Sequence, residues 1–110
     1  MTVIDHKIEI NCFTLELSGF LHAIREDSRI SPAHISLFIA IMQCWSDNNF
    51  RNPMSVFTKK LMQLAKISGF ATYYKTIKEL DEYGYIKYKP SHNQYARSQI
   101  YLPDDASGSN

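Results

Sequence analysis

Apolar positions recur at two periods along this chain, and the change from one to the other falls at Gly84. Ahead of it, Leu17, Leu21 and Ile24 share one face at helical spacing and predict a first helix over residues 14–27. Ser31-Pro32 is a helix-start signal, a capping hydroxyl followed by a ring already set at the helical φ. The helix predicted to follow, to about Asp47, is apolar on nearly every side through Ile35, Leu37, Phe38, Ile39, Ile41, Met42 and Trp45. Such a helix must be buried all round. In so small a domain a second subunit is expected to cover one face, giving a homodimer through Ile35–Trp45.

Asn48-Asn49 and Asn52-Pro53 punctuate the next loop, and Met54-Ser55-Val56 predicts a short strand. Thr58 is placed to cap a helix from Lys59 to Lys66 that buries Leu61, Leu64 and Ala65. Ser68 is placed to cap the next, running to about Tyr83 with Tyr73, Ile77 and Leu80 inward and Gly84 as its left-handed stop. Past Gly84 the period drops to two. Ile86 and Tyr88 point inward and Tyr85, Lys87 and Lys89 outward; residues 90–97 turn, and Ile100 and Leu102 return inward. Residues 1–12, with Ile8 and Ile10 alternating, are expected to be a strand or an arm, and residues 103–110 a disordered tail.

Composition narrows the class. One domain is expected from 110 residues, and 45% hydrophobic with 21% charged residues is ordinary for a soluble globular protein. The longest apolar run, Ile35 to Cys44, is broken by Ser36 and Gln43 and falls short of the roughly 20 residues of a membrane span. The first ten residues carry acids and no compact apolar stretch, so no secretory leader is expected. Cys12 and Cys44 form no CxxC pattern, which points to a reduced, cytoplasmic protein.

The net charge of +1 conceals a division. Residues 1–50 set three cations against six carboxylates, and residues 51–102 set nine against three. A basic half on an acidic scaffold suits a grip on nucleic acid.

The stretch LMQLAKISGFATYYKTIKELDEYGYI resembles the helix-turn-helix of bacterial winged-helix transcription regulators and of the related N-terminal domains of replication proteins. The likeness rests on Ala65 inside the first helix, Ser68, the Ile77/Leu80 spacing and the EYGYI ending, and it covers about the last half of the chain. It implies a mainly α fold with a small β-hairpin wing (α+β). Residues 1–102 would form one winged helix-turn-helix domain, with N-terminal helices over 14–48, a helix-turn-helix over 58–83 and a wing over 85–102.

Such a module needs cations for phosphates and side chains in the first turns of its second helix for base edges. Ser68, Gly69, Ala71, Thr72, Tyr74, Lys75 and Lys78 lie off the inward stripe, and Lys75 and Lys78 precede Glu79, Asp81 and Glu82. Lysine before glutamate is the weaker order for helix stability, so simple i,i+4 pairing explains it less well than a groove-bound first half. In the wing, Lys87, Lys89 and Arg97 are phosphate candidates and Asn93 a further contact, while His92 and Gln94 read as turn formers. The family pattern is broken at one point: the first turn holds no arginine or glutamine for bidentate base reading.

No catalytic constellation stands out, and no metal, cofactor or small-molecule ligand is expected. The four histidines show no ligand spacing, and the glycines sit singly rather than in a phosphate loop. The expected activity is duplex-DNA binding, as a small transcription regulator or as part of a replication or mobile-element protein. A winged helix used only for protein association is the alternative, favoured by the tyrosines at 85, 95 and 101.

Overall fold

The computed structural model describes residues 3–90 and 97–102; Asn93 with the rest of the turn expected at 91–96, and residues 103–110 expected as a tail, lie outside the described residues. Four helices and a three-stranded antiparallel sheet make the fold mixed α+β: α1 (Val3–Ile24), α2 (Pro32–Asp47), β1 (Met54–Val56), α3 (Thr58–Ala65), α4 (Phe70–Glu82), β2 (Lys87–Lys89) and β3 (Ser98–Tyr101). Among the described residues no helix is long and apolar enough to cross a membrane.

The N-terminal stretch expected as a strand or arm is instead the first half of α1. The helix also stops three residues before the expected Asp27. There the Asp27 carboxylate accepts from the Arg29 backbone N–H at 3.1 Å, a local turn that competes with helix. Its inward residue is Phe20, stacked on Phe38 with ring centroids 3.8 Å apart, and Phe13, Leu17 and Ile24 flank it, partly buried. Leu21, expected inward, is 43% exposed because it sits about 100° round the helix from Phe20.

α2 starts as expected. Ser31 caps it, and His34 completes the box by accepting from the Ser31 backbone N–H at 2.9 Å. Its apolar circumference is covered within one chain, by α1, α3, α4 and β1, leaving Ile39 as the large exposed residue at 42%. The face expected to need a second subunit therefore meets the chain's own elements, and the ground for a homodimer through Ile35–Trp45 goes with it.

Three helices end on one device. In each, the N–H of the residue after the left-handed one reaches back five residues: Phe50 to the Trp45 carbonyl, Ile67 to Met62 and Tyr85 to Leu80, at 2.9, 3.0 and 2.9 Å. An inner bond accompanies each, from Asn49, Lys66 and Gly84 respectively. These are Schellman endings, which need a left-handed residue, and those three have φ of 58, 63 and 90°. At the first, Phe50 also meets Trp45 edge-on at 4.9 Å, the apolar contact that locks such an ending.

The sheet runs β1-β3-β2, so the early strand pairs with the last one, Met54 facing Ile100, while Tyr88 faces Ile100 from the other side. Inward Met54, Val56, Ile86, Tyr88, Ile100 and Leu102 carry the expected alternation into the core. Asn52 extends the β1–β3 edge by one rung: its side-chain amide donates to the Leu102 carbonyl at 2.7 Å and accepts from the Leu102 N–H at 3.0 Å.

Candidate nucleic-acid interface

α3 and α4 are joined by the turn at residues 66–69 and held at three points. Ser36 of α2 donates its hydroxyl to the Ala65 carbonyl, fixing the end of α3. His34 ties α2 to α4. Its Nδ1 accepts from the Ser31 amide, so the ring proton lies on Nε2 and goes to Glu79 Oε1 at 2.9 Å. The far end of α4 is held by the loop after α1, where Tyr85 donates its O–H to Asp27 Oδ2 at 2.6 Å and the Arg29 guanidinium stacks 3.9 Å over the Tyr83 ring. Hydrogen bonds from Arg29 and Tyr85 hold the Asp27 carboxyl well below the usual carboxylate range, while burial and the bond to Asp27 push the Tyr85 phenol up to about 12. Sequence reading treated Tyr85 as an outward aromatic; the structure turns it in, with its ring edge-on to Phe20 at 5.3 Å.

The inward stripe of α4 is as expected, with Tyr73, Ile77 and Leu80 fully buried. Thr76 joins it and satisfies its hydroxyl on the Thr72 carbonyl at 2.7 Å. Two expected caps are corrected. Gly69, not Ser68, is the N-cap of α4, because its extended backbone presents the carbonyl that accepts from Tyr73 N–H at 3.0 Å. Phe57 holds the same place before α3, so Thr58 is that helix's first residue. In α3 the inward positions are Leu61, Met62 and Ala65; Leu64, expected buried, is 43% exposed.

All of the predicted contact residues that are described reach solvent: Ser68, Gly69, Ala71, Thr72, Tyr74, Lys75 and Lys78 on the turn and α4, Lys87 and Lys89 on β2, and Arg97 before β3. Lys75 approaches Glu79 at 3.9 Å, and Lys78 makes no ion pair with Glu82 among the described residues. Glu79 is itself half-buried on His34, so the one carboxylate nearest the lysines is already engaged. Arg97 lies over the exposed Phe57 ring at 4.6 Å and Lys89 over Tyr101 at 5.4 Å, contacts that steady each cation without neutralising it.

Sequence reasoning passed over Phe70 and His34. Phe70, the first residue of α4, is 51% exposed and stacks with Tyr74, itself 40% exposed, at 6.3 Å and 22° between planes. Beside Phe70 an open groove of about 460 Å³ runs along α3 and the turn after it, lined by Lys59, Met62, Lys66, Ile67, Ser68 and Phe70 among others. His34 could have been found from its place three residues after the Ser31 cap, where a box partner sits. Comparison with protein-family models, with curated proteins and with solved structures finds no match for this chain.

Proposed function

We propose that this chain is a winged helix-turn-helix module that grips duplex DNA, with α4 as the groove-facing helix and β2–β3 as the wing. The observation that carries the reading is the division of α4: its apolar stripe is consumed by the core while Lys75, Lys78 and the first-turn residues remain on solvent. The order helix, strand, helix, helix, strand, strand from α2 onward agrees with a winged helix, and β1 on the far edge of the wing sheet agrees with it too. Lys59, Lys66, Lys75, Lys78, Lys87, Lys89 and Arg97 add exposed positive charge on the elements that would face a phosphate backbone.

Binding would be dominated by phosphate contact, because the first turn of α4 supplies Thr72 as its one hydrogen-bonding side chain beyond Ser68. Fluorescence anisotropy of a labelled generic duplex over a salt series tests it. Affinity should fall steeply as salt rises, and Lys75→Ala, Lys78→Ala and Arg97→Ala together should flatten the log–log slope by roughly 3, at about 0.9 per lost phosphate contact. A folded protein that binds no duplex at low salt sinks the reading, and a protein-association role for the exposed Phe57, Leu64 and Phe70 takes its place.

A further inference from the structure

We infer that the first turn of α4 receives an unstacked base, so that the preferred ligand is DNA with a locally opened step rather than a uniform duplex. This rests on the DNA-binding reading above and adds to it what the Phe70–Tyr74 pair does. A helix entering a major groove to read base edges needs donors and acceptors in its first turn. Here that turn begins with a half-exposed phenylalanine, and the ring one helical turn on, Tyr74, lies nearly parallel to it. Neither can read a hydrogen-bond pattern with its face. Both can stack on a base, which every base permits.

The surroundings select the ligand by charge. The groove that Phe70 walls is lined by Lys59 and Lys66 with no carboxylate among its lining residues, and Lys75 stands one residue past Tyr74 on the exposed side. Apolar ring faces set among cations fit a nucleotide, whose base is a flat apolar surface and whose phosphate is an anion. The break in the family pattern, where a base-reading arginine or glutamine is missing, then has a cause: stacking takes the place of edge reading. Apolar side chains inserted at base steps work on the same principle, exchanging base–base stacking for base–side-chain stacking at a step already weak.

The test compares two labelled duplexes of one sequence, fully paired and carrying one central unpaired thymine flanked by 2-aminopurine, by anisotropy at fixed salt. The wild-type protein should bind the interrupted duplex roughly tenfold more tightly, the scale of one base stacked on an aromatic ring, and should change the 2-aminopurine fluorescence. Phe70→Ala and Tyr74→Ala should remove most of that preference, weakening binding to the interrupted duplex several-fold more than binding to the paired one. Phe70→Trp should keep it. Both rings are exposed, so circular dichroism should show the variants folded. Equal affinity for the two duplexes overturns the inference and leaves duplex binding standing. A preference that survives both alanine variants overturns the assignment to these rings. If neither duplex binds, both readings fall together. If a labelled acidic peptide containing leucine and phenylalanine occupies the groove in preference to either DNA, the site belongs to a protein partner and the inference is overturned.

Discussion

The two faces of α4 share a backbone and almost nothing else. On one, Tyr73, Ile77 and Leu80 have no solvent exposure and are held by α2 and the sheet; on the other, Ala71, Lys75 and Lys78 touch solvent, with Phe70 and Tyr74 on the flank. The first face is specified by the rest of the chain, whereas the second has charge and shape that folding does not require. Stability and recognition should therefore be separable by mutation within one helix. Leu80→Ala should cost about 2–5 kcal/mol, the transfer loss plus a cavity. Lys78→Ala, two residues earlier, should stay within about 0.5 kcal/mol. Urea unfolding of the two variants measures both. Similar losses would break the comparison.

The faces meet at Glu79, which lies between Lys75 on the solvent side and His34 underneath. His34→Ala removes the donor to Glu79 and the acceptor of the Ser31 amide in one change. Glu79 keeps some access to water and the Ser31 amide lies at a helix start, so each can regain part of its hydration. The expected cost is about 1–3 kcal/mol, smaller than that of the core truncation. Chemical denaturation gives the number. A loss below about 0.5 kcal/mol would mean that α4 keeps its place without the tie, and that packing alone orients its outer face.

How far these faces were legible follows from what each depends on. The stripe at 73, 77 and 80 was readable because burial imposes a helical period on residue type, and the hairpin because burial on one sheet face imposes a period of two. Phe20 was missed for the same kind of reason in reverse. Leu21 is just as apolar, and only the packing of Phe20 on Phe38 decides which of two adjacent residues turns in. Leu64 against Met62 is a second case. The expected caps at Thr58 and Ser68 each fell one residue away from the true ones, since Phe57 and Gly69 hold extended backbone with no side-chain bond for a sequence to display. The exposed lysines were visible as charge. Phe70 was not, because an aromatic residue at the start of an amphipathic helix reads as core until its exposure is known.

The loop after α1 offers a way to sharpen the comparison through pH, because it holds the inner end of α4 with titratable groups. The Asp27 carboxyl is depressed, so its contribution to stability is complete above the ordinary carboxylate pKa of about 3.9 and is lost as pH falls below it. Tyr85 moves the other way. Its neutral form is the one the fold holds, so its contribution is complete below the ordinary tyrosine value of 10.0 and is lost between there and about 12. Wild type should therefore lose more stability than Tyr85→Phe as pH rises through that window. Thermal melts of the two proteins in matched buffers measure the difference, which isolates Tyr85 from Tyr73 and Tyr88, whose phenols burial also raises. Parallel losses would show that the Tyr85–Asp27 bond does not hold α4.

Lys66, at the end of α3, separates stability from recognition most sharply. It occupies the left-handed position that ends α3, at φ 63°, where a side chain is strained and glycine is at ease. It also lines the groove beside Phe70. Lys66→Gly relieves the strain but gives back part of the gain as added freedom of the unfolded chain, so a net stabilisation of about 0.5–1 kcal/mol is expected. The same change deletes one cation from the face proposed to meet DNA, and duplex affinity should drop together with a slope lower by about 0.9. A variant that is more stable and binds less well would mean that lysine is held there against the preference of the fold, for its charge. One that is more stable and binds equally well would assign Lys66 to the solvated surface and move the phosphate contacts to α4 and the wing. Melting temperature and the salt-dependent anisotropy, read on the same preparation, separate these outcomes.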